Sequence, residues 1–170
     1  DLSGKRAAKA AVLARYGLPT DEAALHRPLI GMISRMVDQK GLDLISRIAH
    51  ELPRLGASFV ILGTGEPRYQ DMWRWLASEH PHTIGARIGF DEGLAHLIEA
   101  GADMFMMPSQ FEPCGLNQMY SLRYGTVPIV RRVGGLADTV GDYWPGRFDA
   151  TGFVFDDYSE WTLLNTLKRA

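Results

Sequence analysis

A chain of 170 residues, 46% hydrophobic and 22% charged, has the makings of one globular domain that buries about 70% of its unfolded surface without covalent staples. A net charge of −2 and a pI near 6.2 exclude the basic footprint of a nucleic-acid or anionic-membrane binder. Cys114 is the single cysteine, so no internal disulfide can form and a reducing compartment is expected; no apolar run approaches the ~20 residues of a membrane helix, and the first residues do not resemble a signal peptide.

In chain order, Ser3 precedes an Ala-rich stretch with apolar residues at Ala7, Ala8, Ala11, Val12 and Tyr16, which predicts a capped helix ended by Gly17 and Pro19. Residues 18–27 read as a polar connector. Pro28–Ser34 is a short apolar run and predicts a buried strand. Leu42, Ile45, Ile48, Ala49 and Leu52 then recur at helical spacing, stopped by Pro53 and Gly56. A strand over Ser58–Leu62 closes in Gly63-Thr-Gly-Glu-Pro67. A helix over Arg68–Ser78 is expected to turn Met72, Trp75 and Leu76 inward. Further strands are predicted at Thr83–Ile88, Asp103–Met107, Val127–Val130 and Gly152–Phe155, with helices at Glu92–Ala100 and Gly115–Arg123. Residues 134–151 read as an ordered loop. The last residues look helical, and a piece of a longer protein is expected.

Strands and helices alternating at this spacing imply βαβ units and a parallel sheet covered on both faces: an α/β, Rossmann-like, doubly wound fold in one domain over residues 1–170. Ligands of such sheets bind beyond the carboxyl ends of the strands. The unusual polar clusters of this chain fall there: Ser34–Lys40, Gly63–Pro67, Gly89-Phe90, Pro108–Gly115 and Arg131–Gly135.

Arg35 and Lys40 flank a turn after the first strand. Together they could hold a diphosphate, the guanidinium as a fork and the ammonium as a point charge, or they could be surface cations paired with Asp38 or Asp43. Gly63 and Gly65 could let a ligand approach the backbone, or simply make a turn. Arg68 stands where a dinucleotide fingerprint needs its third glycine, and no Gly-Lys-Ser/Thr follows, so neither a dehydrogenase nor a P-loop is supported. Phe90 could stack on a nucleobase or staple the next helix, and core packing is the favoured reading. The amides of Gly115, Leu116 and Asn117 would open a helix N-terminus suited to an anion, with Glu112 beside it for sugar hydroxyls or as a cap for those amides. Cys114 reads as a small packed residue, since no histidine is near in sequence to activate it. His26, His50, His80, His82 and His96 have no metal-binding spacing.

The segments Ser34-Arg-Met-Val-Asp-Gln-Lys-Gly41, Pro108-Ser-Gln-Phe-Glu-Pro-Cys-Gly-Leu-Asn-Gln118, Ser121-Leu-Arg-Tyr-Gly-Thr126 and Val133-Gly-Gly-Leu-Ala-Asp-Thr-Val140 resemble the bacterial glycogen synthase and plant starch synthase family, densely over residues 28–140. The resemblance implies the C-terminal, nucleotide-binding half of a two-domain GT-B glycosyltransferase. Such an enzyme transfers glucose from ADP-glucose to the non-reducing end of an α-1,4-glucan, with retention and without a metal or other cofactor. It implies that Arg35 and Lys40 hold the diphosphate and that Glu112 contacts the glucose. It also implies that the amides of Cys114–Asn117 bind phosphate or sugar, Phe90 stacks on the base and Thr139 lies near the phosphates. The partners implied are ADP-glucose, the glucan and an N-terminal domain of the same enzyme. The setting implied is bacterial cytoplasm or plant plastid stroma.

The family's Lys-x-Gly-Gly-Leu motif belongs to that other domain; here Gly134-Gly-Leu136 follows Val133 and is the later element. The chain alone is therefore expected to bind nucleotide weakly and not to catalyse transfer. Rival readings are another retaining GT-B transferase with a different nucleotide sugar, a non-catalytic nucleotide- or glucan-binding module, and an NAD dehydrogenase. Many of the first class carry a second glutamate eight positions after the first, where this chain has Tyr120.

Overall fold

Near-continuous apolar runs become central strands because both faces of the sheet are covered. The computed structural model describes residues 2–170. Its strands are β1 (Leu29–Ile33), β2 (Ser58–Gly63), β3 (Ile84–Ile88), β4 (Met104–Met107), β5 (Val127–Arg131) and β6 (Phe153–Phe155). They form one sheet of six strands in the order β3-β2-β1-β4-β5-β6, every neighbouring pair parallel. The helices are α1 (Lys5–Arg15), α2 (Glu22–His26), α3 (Leu42–Arg47), α4 (Pro67–Glu79), α5 (Glu92–Gly101), α6 (Asn117–Tyr124), α7 (Gly134–Thr139) and α8 (Glu160–Arg169).

Alternation along the strands divides the core in two. Ile30, Phe59, Ile61 and Met106 pack with α3, α4 and α8 through Ile45, Trp73 and Leu163. Leu29, Val60, Leu62, Phe105 and Met107 pack with α1, α5 and α7 through Leu13, Ile98 and Leu136. The doubly wound architecture expected from the sequence is therefore present, with strand β1 beside β4 at the centre. No helix among the described residues is long and apolar enough to cross a membrane.

Several local expectations are corrected. The connector 18–27 contains α2, whose N-cap Asp21 accepts from the Ala24 amide at 2.9 Å. The loop 134–151 begins with α7. Gly4, not Ser3, occupies the N-cap position of α1. The helix expected to reach Leu52 ends at Arg47, and a 3₁₀ turn over Leu52–Arg54 follows. Helix α4 buries Tyr69, Trp73 and Leu76, whereas Trp75 is 53% exposed. Both helical phases share Leu76; Tyr69 decides between them because its hydroxyl, once buried, finds the Asp38 carboxylate.

One buried acid makes stability depend on pH. Glu99 of α5 is 5% exposed, accepts from Ser121 Oγ of α6 at 2.7 Å on Oε2, and has no partner for Oε1 among the described residues. Burial pushes its carboxyl up to about 7, offset in part by the Ser121 bond and the Lys5 ammonium. Folding therefore favours the protonated acid. This contribution is fully present below the ordinary value of 4.5 and is lost as the pH rises to about 7. The loss amounts to about 3 kcal/mol. Glu99→Gln should shrink the fall in denaturant stability between pH 5 and pH 8; an equal fall in the variant would assign it elsewhere.

Candidate functional site

Chain winding reverses between β1 and β4: β1 leads outward to β2 and β3, β4 outward to β5 and β6. The loops leaving their carboxyl ends part there, and a crevice opens. A cavity of about 420 Å³ fills it, lined by Ser34, Arg35 and Lys40 on one side and Ser109, Glu112, Gly115, Leu116 and Asn117 on the other, over Met32, Met106 and Met107.

Lys40 reaches this cavity from a 3₁₀ turn over Asp38–Lys40 that ends in Gly41, a left-handed residue with φ 82°. A Cβ at Gly41 would lie 2.2 Å from Pro108 O, so a side chain here would push the β1 exit off the β4 exit. With the two exits in contact, Lys40 Nζ lies 2.6 Å from Glu112 Oε2, and Ser109 Oγ donates to the same oxygen at 3.1 Å. The two charged side chains are only 21% and 11% exposed. Lys40 is thus no surface cation paired with Asp38 or Asp43, and Glu112 faces a lysine rather than capping helix amides. Arg35 is exposed on the cavity rim and donates to Gln39 Oε1 at 3.2 Å.

The loop bearing Glu112 rests on the paired glycines of α7. Gly135 donates its amide to Glu112 O at 3.1 Å, and a Cβ at Gly135 would fall 1.7 Å from Cys114 O. Gln118, wholly buried, holds the loop from the other side: its Nε2 donates to Gly115 O at 3.0 Å and to Thr139 Oγ1 at 3.2 Å. Thr139 in turn donates to Gly135 O at 2.6 Å, so it stands behind the loop and does not line the cavity. Sequence reasoning missed this supporting role of Gln118 and Gly135; two adjacent glycines after a strand were the available signal.

Helix α6 begins at Asn117, two residues later than expected, and Asn117 Nδ2 donates to Ile33 O at 3.3 Å. The amides of Gly115, Leu116 and Asn117 find no acceptor among the described residues. Cys114 is exposed, not packed, because the loop turns outward between Glu112 and α6.

Phe90 corrects another expectation. It is 92% exposed and contributes nothing to the core. With Leu62, Thr64 and Gly89 it lines a second hollow that shares Ile33, Ser34 and Arg35 with the first. The two hollows therefore adjoin along the β1 exit. Gly63 and Gly65 serve packing there, since Cβ atoms would lie 1.8 Å from Ser34 O and 2.3 Å from Met36 O. The five histidines lie away from both hollows, and no group of three His, Cys, Asp or Glu side chains suited to a metal occurs among the described residues.

The site thus combines two cations and unpaired amides leading into α6, which suit an anion, with a carboxylate beside them and an exposed aromatic ring at the far rim. Comparison with known proteins adds to this geometry. Residues 21–170 match the family model of the group 1 glycosyl transferases. The chain is 54% identical to a glycogen synthase of Anaeromyxobacter dehalogenans (strain 2CP-C), over all of this chain and 35% of that protein. It is 47% identical to a glycogen synthase of Koribacter versatilis (strain Ellin345), over 99% of this chain and 34% of the relative. Among solved structures, the catalytic domain of starch synthase IV from Arabidopsis thaliana, bound to ADP and acarbose, superposes with a TM-score of 0.85 at 37% identity, covering 99% of this chain and 35% of that one. The chain thus spans about a third of the length of these relatives.

Proposed function

Because the chain belongs to the group 1 glycosyl transferases, we propose that it is the donor-nucleotide half of a glycogen or starch synthase. In this reading the complete GT-B enzyme moves glucose from ADP-glucose to the non-reducing end of an α-1,4-glucan with retention, in the cytoplasm of a bacterium. The observation that carries the proposal is the largely buried Lys40–Glu112 pair at 2.6 Å, held where the sheet reverses its winding and beside the unpaired amides leading into α6. Similarity to glycogen synthases and to an ADP-bound starch synthase supports the choice of donor and acceptor.

Breaking the bond between the anomeric carbon and the diphosphate puts negative charge on the leaving oxygen. Lys40 and Arg35, with the amides of Gly115–Asn117, supply the compensating positive charge from the lining of one cavity, so that in this reading no metal or cofactor is required. Lys40 has three N–H donors, of which Glu112 takes one; the others can turn to phosphate oxygens. Both hydrogen bonds received by Glu112 fall on Oε2, which leaves Oε1 for a donor-sugar hydroxyl and for the positive charge that grows at the anomeric carbon. The acceptor site and the rest of the cleft come from the remaining two-thirds of the enzyme, so this chain alone is expected to be inactive in transfer.

Phe90 then stacks on the nucleobase, at the far end of the second hollow. Phe90→Ala should weaken ADP binding by roughly 1–3 kcal/mol, as loss of a base–aromatic stack does. Melting should barely change, because the ring is almost fully exposed. Calorimetry against ADP and against inorganic pyrophosphate separates the two halves of the ligand. A loss for pyrophosphate as well as ADP would remove Phe90 from the base.

A further inference from the structure

Two residues outside the cavity join the loops that carry its charges. Tyr158 lies between β6 and α8, and its hydroxyl bears on the Asp43 carboxylate and, at 3.1 Å, on the Asp38 carbonyl. Asp38 opens the 3₁₀ turn that ends in Lys40, and its carboxylate is held in addition by Tyr69 and by Arg68 at 2.8 Å. Arg131, at the end of β5, stacks its guanidinium 5.3 Å from the centre of the Tyr158 ring. The same guanidinium donates to Gln110 O at 2.6 Å and to Asp156 O at 3.2 Å. The Gln110 amide donates in turn to Gln39 O, inside the Lys40 turn, at 2.8 Å.

These contacts close a ring: Gln39 to Gln110, Gln110 to Arg131, Arg131 to Tyr158, and Tyr158 back to Asp38. The ring links the segments that follow β1, β4, β5 and β6. Lys40 leaves it on one side, and Glu112 lies two residues beyond Gln110 on the other. We propose that Tyr158, braced by Arg131, is a positioning residue that sets the Lys40 ammonium against Glu112. Neither residue lines the cavity, so each acts only through the loops it holds. Burial and the bond to Asp43 push the Tyr158 hydroxyl above its ordinary ionisation range, so it stays a donor at neutral pH.

The geometric part of this inference stands without a ligand, whereas its effect on binding rests on the donor-site reading above. Tyr158→Phe in the intact protein keeps the ring on Arg131 and removes only the hydroxyl. Its crystal structure should have Lys40 Nζ beyond the ion-pair limit from Glu112, with the 3₁₀ turn displaced. ADP affinity should fall about five- to tenfold. In a Lys40→Ala background the same substitution should change ADP affinity by less than about twofold, because the group it positions is gone. An unchanged Lys40–Glu112 distance, or equal losses in both backgrounds, would overturn the proposal. If Tyr158→Phe does not fold, Arg131→Lys, which keeps the charge and loses the fork, carries the same test. Should Lys40→Ala itself leave ADP binding intact, the donor-site reading fails, while the crystallographic distance still decides the positioning role.

Discussion

Lys40→Ala in the intact protein should weaken ADP binding about ten- to hundredfold, or roughly 1.5–3 kcal/mol. Three effects add. A charge-assisted contact to the diphosphate is lost. The Glu112 carboxylate, 11% exposed and 2.6 Å from the missing ammonium, is left without its counter-ion. That unpaired carboxylate then faces the incoming phosphates and repels them. Lys40→Arg should recover only part of the loss, since a planar fork does not fit where a compact ammonium meets Glu112 and Ser109. Arg54→Ala is the control: Arg54 is paired with Glu51 but 71% exposed, and its removal should leave ADP binding unchanged. Calorimetric titration reads all three. An ADP affinity unaltered by Lys40→Ala would take the diphosphate out of this cavity.

Glu112→Gln should divide the effects differently. The amide keeps the shape of the carboxylate and still accepts from Lys40, but it cannot balance a positive anomeric carbon. Turnover of the intact protein with ADP-glucose and glucan should fall about 10²- to 10³-fold, the range for removing one group matched to transition-state charge. ADP carries no glucosyl group, so its affinity should change by less than about threefold, toward tighter binding, because a negative charge near the phosphates is removed. A variant that loses ADP binding and turnover together would make Glu112 a structural partner of Lys40 and not a group that meets the glucose.

The sheet was legible because buried parallel strands announce themselves: Pro28–Ser34, Ser58–Leu62 and Asp103–Met107 are short apolar runs, each followed by a helix-spaced pattern. Helix α2 was not, since five residues are too few to display a period, and its signal was one capping aspartate. Helix α7 hid because Gly134 and Gly135 disfavour helix by propensity; their use is to seat the Glu112 loop, a tertiary demand that no local pattern carries. Arg35, Lys40, Glu112 and the Gly115–Asn117 segment were found from residue type and position at strand ends, and the fold brings them to one cavity. Phe90 was misread from hydrophobicity alone, since an aromatic after a strand fits a core as well as an open rim. Tyr158 and Arg131 escaped because their partners lie in other loops, and Gln118 because it reaches Thr139 of α7, so their roles exist only once the sheet has ordered those segments.

The most direct test of the donor-site account is a calorimetric titration of ADP and then UDP into the intact protein, followed by the same titrations into this chain alone. The account predicts that ADP binds the intact protein, that UDP binds it more weakly, and that the isolated chain keeps the preference at lower affinity. UDP binding as tight as ADP, or no binding of either nucleotide to the intact protein at millimolar concentration, would contradict it.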